Sequence, residues 1–240
     1  MKKQIVSFSG GKDSTAMLHM MLERGEQIDD VIFFDGGWDW PQMYEHLDLV
    51  EEKTGIKITR LKPEHDFTWW MLNYVPTRTK YPPYVGYGWP GPRVRWCTQK
   101  KQVTIEKYLR PLKKEFEVIQ CIGFAVGEER RLKTDMLKSQ FRFPLIEYNV
   151  DEKEALFYCR NLGYTWGGLY DYFDRVSCFC CPMQCKNEML MKKRHFPEIW
   201  EKIRQMDREL QEKTHGRTPG QRFKTLEMFE DVDAKLRGKD

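Results

Sequence analysis

A glycine-containing hexapeptide between a strand-like segment and a helix-like segment is the feature that most constrains this fold. Residues 9–14 follow the apolar run 5–8 and precede the amphipathic run 15–22. Two glycines let the backbone turn tightly, and a helix N-terminus directs amides and partial positive charge at an anion. Lys12 adds a full positive charge, although the spacing differs from that of a Walker loop. The sequence predicts a phosphate-binding loop made of Ser9, Gly10, Gly11, Lys12, Asp13 and Ser14.

Short apolar runs alternate with amphipathic segments, as in a parallel sheet covered by helices. We predict strands at residues 4–8, 31–35, 57–61 and 117–123, and helices at residues 13–24, 41–54, 67–74, 98–109 and 151–162. Nucleotides bind at the carboxyl ends of such strands, so the loops at 9–14, 35–37 and after 123 should converge on one crevice. The predicted fold class is α/β, a Rossmann-like parallel sheet with helices on both faces and a C-terminal appendage.

The chain of 240 residues is long enough for one domain with an appended region. We predict a nucleotide-binding α/β domain at 1–170 and a region with a cysteine cluster and helices at 171–240. Within the first domain, a loop insertion at about 75–92 is rich in proline and glycine, and loops of this length usually bind or cover a ligand. Hydrophobic residues make up 40% and charged residues 32%, with no apolar stretch long enough to span a bilayer. We therefore expect a cytoplasmic protein without membrane contact.

Positive charge is concentrated in one part of the chain, although the net charge is only +4. Between residues 93 and 114 there are eight lysines and arginines and a single acidic residue, Glu106. A solvated helix face explains most runs of this kind. Aromatic residues lie just upstream, so a polyanion-binding surface is a second interpretation. These residues are Tyr81, Tyr84, Tyr87 and Trp89.

Four of the seven cysteines lie within eight residues, at positions 178, 180, 181 and 185. In a cytosolic protein, such a cluster favours metal or redox chemistry over a disulfide framework. Cys178, Cys181 and Cys185 form a C-x2-C-x3-C series, so three thiolates lie close together in the chain. A fourth ligand is needed for tetrahedral zinc or for a four-iron cluster. Cys180 could replace any one of the three.

Several further motifs occur in a fixed order along the chain. They are Phe33-Phe34-Asp35-Gly36-Gly37, Arg95-Trp96-Cys97-Thr98, the segment GFAVGEERR at 123–131, Pro144-Leu145-Ile146 and the segment 178–182. Together with the hexapeptide, they resemble the PP-loop adenine nucleotide α-hydrolase superfamily and, within it, the phosphoadenosine phosphosulfate (PAPS) reductase-like family. The likeness covers about residues 1–185. It implies an adenine nucleotide α-hydrolase-like fold and an enzyme that cleaves ATP between the α and β phosphates.

The resemblance also implies the residues of the site. Loop 9–14, Asp35 and Gly36 would bind an adenine nucleotide, with Asp13 and Asp35 as candidates for Mg²⁺ or water-mediated contacts. Lys12 and Mg²⁺ would stabilise the departing pyrophosphate. Candidate charges on the acceptor side are Glu128, Glu129, Arg130 and Arg131, and the predicted catalytic set is Lys12, Asp13, Glu128 and Arg130. Cys97 becomes the fourth metal ligand because the resembling family pairs this cysteine with the later C-x2-C, and a [4Fe–4S] cluster is favoured over Zn²⁺.

The leading functional prediction is an ATP-dependent adenylating sulfurtransferase, which releases AMP and pyrophosphate and inserts sulfur into an unknown acceptor. Its partners would be a sulfur-donor protein or a nucleic acid. One alternative is a sulfonucleotide reductase acting on PAPS or its non-phosphorylated analogue, for which the intact glycine loop and the lack of a cysteine after Cys185 are unfavourable. A second alternative is a nucleotide-gated nucleic-acid-binding or defence module, which would not convert ATP to AMP and pyrophosphate.

Overall fold

A computed structural model describes residues 1–75, 85–132 and 140–214. Its strands are β1 (Lys2–Phe8), β2 (Asp30–Phe34), β3 (Ile58–Leu61), β4 (Glu117–Ile122) and β5 (Phe141–Arg142). They form one five-stranded sheet in the order β3-β2-β1-β4-β5, in which every neighbouring pair is parallel. The order of the strands reverses between β1 and β4, which is where ligands bind in open α/β sheets. The predicted Rossmann-like α/β fold is confirmed.

The helices of the described ranges are α1 (Lys12–Glu23), α2 (Pro41–Thr54), α3 (Phe67–Leu72), α4 (Trp96–Glu115), α5 (Pro144–Glu147), α6 (Glu152–Asn161), α7 (Leu169–Tyr172), α8 (Lys186–His195) and α9 (Pro197–Thr214). Helices α1, α2, α3, α4 and α6 lie close to predicted positions, whereas the short helices α5 and α7 were not predicted. Single 3-10 turns lie at Glu129–Arg131 and Trp166–Gly168. Helix α4 is longer than predicted, because it continues through Pro111, where a proline would ordinarily end it. Among the described helices, none is long and apolar enough to cross a membrane.

The two central strands are buried on both faces, as in most parallel sheets. Ile5, Val6 and Phe8 of β1 and the adjacent side chains of β2 are almost completely buried. Helix α4 covers one face through Leu109, which packs with Ile5. Burial of each large apolar side chain contributes about 1.5–3 kcal/mol. The sheet is therefore a rigid base for the loops at its carboxyl edge.

The chain forms two compact units, each built from separate segments. The first unit comprises Met1–Asp35, Asp39–Pro63 and Lys101–Val176, and it contains the sheet. The second comprises Gly36–Trp38, Glu64–Lys100 and Ser177–Asp240, as far as these residues are described. The domain division at 1–170 and 171–240 stays a prediction.

The described part of the 75–92 segment is packed within the second unit. Trp89 is fully buried, and its Nε1 donates a hydrogen bond to Asp207 Oδ1 at 2.7 Å. Gly86 has φ +73°, and a Cβ at this position would lie 2.1 Å from the carbonyl oxygen of Met71. Close packing against α3 therefore requires glycine here. Tyr81, Tyr84 and the predicted helical tail beyond residue 214 lie outside the described residues.

Candidate functional site

The predicted phosphate loop connects the end of β1 to the start of α1. Gly11 is the N-cap residue of α1 and supplies no side chain to the first turn, so backbone amides there can serve an anion. Gly10 has φ +75°, the left-handed conformation that favours glycine. A Cβ on Gly10 would also lie 2.4 Å from Met43 Sδ. Both conformation and packing therefore require glycine at position 10.

Two serine hydroxyls close the loop on itself. Ser14 Oγ lies 3.1 Å from Ser9 Oγ, accepts a hydrogen bond from Ser9 N at 3.2 Å and donates one to the Gly11 carbonyl at 3.0 Å. The loop after β4 approaches the same turn, since a Cβ on Gly123 would lie 3.0 Å from Ser14 N. The structure thus brings the loops that follow β1 and β4 together.

The Lys12 ammonium lies between two carboxylates. Its side chain is only 5% exposed, and Nζ lies 2.8 Å from Glu152 Oε2 and 3.2 Å from Asp13 Oδ2. The hydrogen bond from Lys12 lowers the pKa of Glu152, the first residue of α6. Burial raises the pKa of Asp13 to about 6 despite the opposing charge of Lys12. Asp13 Oδ1 is buried and has no hydrogen-bond partner among the described residues, so a cation or a proton would be stabilised there.

Two aromatic side chains that the sequence analysis did not identify hold the loop. Trp166 Nε1 donates to the Gly10 carbonyl at 2.7 Å, and the Tyr170 hydroxyl accepts from Lys12 N at 2.8 Å. Trp166 has φ +50° and is followed by Gly167 and Gly168, both also at positive φ. A non-glycine residue in this region costs about 1–3 kcal/mol and is found mainly at functional sites. In the sequence, this turn is indicated by Trp166 followed by two consecutive glycines.

Asp35 follows β2 and is largely buried. Its Oδ1 accepts a hydrogen bond from the Tyr44 hydroxyl at 2.7 Å, and its Oδ2 lies 3.7 Å from Lys62 Nζ. The neighbouring Gly36 belongs to the second unit, where a Cβ would lie 2.6 Å from the Phe67 ring. The role of Asp35 and Gly36 in nucleotide binding stays a prediction.

The charged tetrad after β4 separates into buried and exposed members. Glu128 is buried, accepts a hydrogen bond from Arg131 and receives another from Ala125 N at 3.3 Å. Arg131 also lies 4.4 Å from the centre of the Phe124 ring. Glu129 and Arg130 are exposed. Arg131, rather than Arg130, is thus the arginine that contacts Glu128, while the catalytic role of Glu128 and Arg130 stays a prediction.

The five candidate cysteine ligands all belong to the second unit. Cys180 is fully buried, Cys97, Cys178 and Cys181 are half-buried, and Cys185 is exposed. Burial raises the pKa of Cys97, and the charge of Cys181, a residue distant in sequence, adds to this rise. The Cys185 side chain caps α8 by accepting from the Glu188 amide. Within the described ranges, no three His, Cys, Asp or Glu side chains are placed so that they could hold a metal ion.

A buried lysine lies beside these thiols. Lys192 is fully buried, and its Nζ donates to Gln184 Oε1 and lies 3.7 Å from Met189 Sδ. Burial lowers the pKa of Lys192 to about 8, and the charges of Cys180 and Cys181 oppose this effect. The donor set therefore has the chemistry of a thiolate-bound metal site, with a cation available to balance thiolate charge, although the side chains as placed do not form such a site.

Comparison with known proteins identifies the family. Residues 3–184 match the phosphoadenosine phosphosulfate reductase domain. The chain belongs to this family. Membership confirms the resemblance found in the sequence.

Two relatives of this PAPS reductase-family chain come from Methanocaldococcus jannaschii. The uncharacterized protein MJ0066 is 30% identical over 227 residues, which cover 88% of this chain and 43% of the relative. The uncharacterized protein MJ0973 is 24% identical over 205 residues, covering 82% of this chain and 45% of the relative. The chain thus spans less than half the length of these curated relatives. The PAPS reductase domain match includes Cys97, Cys178 and Cys181 and ends one residue before Cys185.

Proposed function

We propose that this PAPS reductase-family protein is an ATP-dependent adenylating sulfurtransferase. The observation that carries the proposal is the glycine loop at residues 9–14, where the α1 N-terminus and the buried Lys12 ammonium meet. Such a loop can hold the β and γ phosphates, which leaves the α-phosphorus open to an acceptor oxygen. Attack at the α-phosphorus gives AMP-activated acceptor and pyrophosphate, whereas attack at the γ-phosphorus would give ADP.

The residues of the first unit have distinct roles in this reaction. Backbone amides of the loop and the Ser9 and Ser14 hydroxyls bind phosphate oxygens, and Lys12 exchanges Glu152 for the phosphate chain. The acceptor oxygen forms a bond to the α-phosphorus while the α–β P–O bond breaks, and the electron pair leaves with pyrophosphate. Lys12 stabilises that developing charge. Asp13, with its unpartnered buried oxygen, would hold Mg²⁺, which supplies further positive charge when bound.

Sulfur transfer follows activation of the acceptor. A sulfur nucleophile forms a C–S bond at the activated carbon, and the C–O bond to AMP breaks, so AMP leaves with the oxygen. The nucleophile would be a sulfide delivered through the cysteine centre, or the outer sulfur of a persulfide on a separate sulfur-donor protein. In the second case, a cysteine thiol must then cleave the S–S bond, which leaves one sulfur on the acceptor carbon and a disulfide on the donor. The acceptor oxygen therefore ends on AMP and one sulfur atom takes its place.

For the metal centre, we propose Cys97, Cys178 and Cys181 as three ligands, with Cys185 or Cys180 as the fourth. The contribution of the Cys181 charge to the raised pKa of Cys97 supports joining the two segments of the second unit. Cys185 would have to give up its capping bond to α8, and Cys180 lies beside Lys192. The C-x2-C series, whose second cysteine is followed by proline, favours a [4Fe–4S] cluster over structural Zn²⁺. When bound, such a cluster would supply iron and sulfide for sulfur delivery.

Sulfonucleotide reduction is the second candidate, because the matched family is named after that activity. It requires a reactive thiol that reaches the bound sulfate. The thiols of the first unit do not suit this role: burial raises the pKa of Cys121 to about 12 and the pKa of Cys159 further still. A thiol with such a pKa is protonated at neutral pH and is a poor nucleophile.

Reaction class is tested with anaerobically purified protein. We would incubate it with Mg²⁺, ATP labelled at the α-phosphate and the small-molecule and RNA fractions of a cell extract, and separate the nucleotides. We expect labelled AMP with stoichiometric pyrophosphate. Labelled ADP would contradict the proposal, and so would sulfite released from PAPS by a thioredoxin-type reductant without ATP, which would favour the reductase.

The role of the loop is tested by binding. Lys12→Ala should weaken ATP binding by about 10- to 150-fold, because a charge-assisted contact to phosphate contributes about 1.5–3 kcal/mol. Adenosine, which lacks phosphate, should bind as before, and both affinities can be measured by calorimetry. Lys153→Ala removes an exposed lysine next to Glu152 and is the matched control. Equal losses for ATP and adenosine would argue against phosphate binding at this loop.

A further inference from the structure

A group of aromatic rings on the second unit takes no part in the proposed ATP chemistry. It consists of His65, Trp69, Trp70, Tyr74 and Tyr87, which we call the aromatic surface. His65 stacks on Trp69 with ring centres 3.7 Å apart, and Tyr74 stacks on Tyr87 at 4.4 Å. Trp70 joins the two pairs, since its ring centre lies 5.1 Å from that of Trp69 and 5.0 Å from that of Tyr74. The five rings are therefore contiguous.

These rings differ from core aromatics in their exposure. Each of the five is half-buried, whereas Trp89 and Trp96 in the same unit are almost completely buried. Trp96 stacks on Tyr87 at 5.6 Å and supports the surface from below. Trp70 Nε1 is buried and has no hydrogen-bond partner among the described residues. In a small secondary hydrophobic core, other side chains would normally cover the rings, and a buried donor such as Trp70 Nε1 would have an acceptor.

Cations accompany the aromatic surface. Lys100 Nζ lies 3.3 Å from the centre of the Trp70 ring, and Arg93 and Arg95 are exposed in the turn that precedes α4. Two carboxylates lie in the same region. Asp66 accepts a hydrogen bond from Trp69 N at 2.7 Å as the N-cap of α3, and Glu64 interacts electrostatically with Lys100. Three cations therefore accompany two carboxylates in this segment of the second unit.

The aromatic surface lies next to one of the candidate cysteine ligands in the chain. Trp96, which stacks on Tyr87, directly precedes Cys97 at the start of α4. The aromatic surface therefore adjoins the segment that carries this candidate ligand.

We propose that the aromatic surface binds single-stranded nucleic acid. Bases stack on aromatic rings whatever their sequence, and arginine and lysine neutralise the backbone phosphates. A duplex keeps its bases stacked on one another and cannot use the rings in this way.

Binding is tested on the full-length protein without ATP. Anisotropy of fluorescein-labelled oligo(rU), oligo(dT) and a duplex of equal length would be measured at two salt concentrations. We expect either single strand to bind at least tenfold more tightly than the duplex. The comparison of oligo(rU) with oligo(dT) distinguishes RNA from DNA as the source of the strand. Failure of both single strands to bind, or equally tight binding of the duplex, would overturn the proposal.

Variants separate base stacking from general charge attraction. Trp69→Ala should weaken binding about 5- to 150-fold, in line with the loss of one stacked base. Arg93 and Arg95 are exposed, so replacing both with alanine should not disturb folding. The double variant should show a shallower slope of log affinity against log salt concentration, by an amount equal to the loss of about one phosphate contact or more. Phe157→Ala, which removes a 67% exposed aromatic ring of the first unit, is the matched control and should have no effect.

A polyanion without bases provides the decisive competitor. Poly-glutamate should displace the single strand only weakly, because it offers charge but nothing to stack. If poly-glutamate displaced the strand as effectively as unlabelled oligo(rU), and Trp69→Ala had no effect, binding would depend on charge alone and the proposal would be overturned. Binding is measured without ATP, so this proposal and the proposed sulfurtransferase are tested separately: failure of the single strands to bind would overturn this proposal alone, and failure to form AMP would overturn the sulfurtransferase alone.

Discussion

At the scale of single residues, Asp13 should make stability depend on pH. Burial raises the pKa of Asp13 to about 6 from an ordinary value of 3.8. The folded protein then keeps a proton that the unfolded chain has already released, so the free energy of unfolding falls as the pH rises from about 4 to about 6. A difference of about two pH units corresponds to about 3 kcal/mol at most.

We expect Asp13→Asn to remove this slope and to be more stable than the wild-type protein above pH 6. Urea unfolding at several pH values, without nucleotide, measures the effect. The exposed Asp174→Asn is the control and should keep the wild-type slope. An unchanged slope in Asp13→Asn would show that Asp13 is not the group that causes it.

Gly10 and Gly25 distinguish backbone strain from steric overlap. Both have positive φ, +75° and +66°, but a Cβ on Gly25 meets nothing within 4 Å, whereas on Gly10 it would lie 2.4 Å from Met43 Sδ. Gly25→Ala should cost about 1–2 kcal/mol of unfolding free energy from strain alone. Gly10→Ala should cost about 1–3 kcal/mol more because Met43 must move. Equal losses in urea unfolding would show that Met43 adapts freely.

Residues whose roles are local were predictable, and those that depend on tertiary packing were not. Gly10 and Lys12 lie in a hexapeptide whose strand and helix neighbours are visible in the sequence. Trp166 and Tyr170 contact the same loop from far along the chain. No periodicity or spacing links them to residues 9–14, so a single sequence could not reveal the contact.

At the scale of elements, hydrophobic periodicity predicted the sheet and most helices, because buried strands and amphipathic helices leave clear patterns. It missed β5, whose two residues are too short for any pattern. It ended α4 too early, because Pro111 ordinarily terminates a helix. The packing of Leu109 and Leu112 beneath the sheet outweighs that local preference.

Helix α6 offers a test of capping at a functional element. Asp151 accepts hydrogen bonds from the amides of Lys153 and Glu154, and Glu154 returns a bond to Asp151 N. Asp151→Ala should cost about 1 kcal/mol of unfolding free energy. Asp171→Ala, which breaks an exposed ion pair with Arg160, should cost less than about 0.5 kcal/mol. The reverse order in urea unfolding would contradict the importance of the capping box.

At the scale of the whole molecule, the two compact units separate the proposed chemistry. The phosphate loop and its carboxylates belong to the first unit, and the candidate metal ligands belong to the second. The sequence predicted both candidate sites because each is a dense local motif. It did not reveal that Glu64–Lys100 and the residues from Ser177 onward form one unit, because that association depends on contacts distant in the chain.

Metal binding would join those two segments of the second unit. Cys97 comes from Glu64–Lys100 and the other candidate ligands come from the segment that begins at Ser177. A metal that requires both segments stabilises only the folded unit, so its binding free energy adds to the stability of that unit. Anaerobic protein should contain about four irons per chain, or one zinc if the centre is structural.

Removal of this metal should therefore destabilise the second unit and leave the stability of the first unit unchanged. After chelator treatment under anaerobic conditions, we expect amide hydrogen exchange to rise in the described parts of the second unit, notably α3 and α8, while β1, β2 and β4 keep their protection. Cys181→Ser should reproduce the effect without chelator. Cys121→Ser changes a buried thiol of the first unit and should retain the metal. Equal loss of protection in both units, or unchanged metal content in Cys181→Ser, would contradict the proposed ligands, because a metal bound by these cysteines stabilises only the segments that carry them.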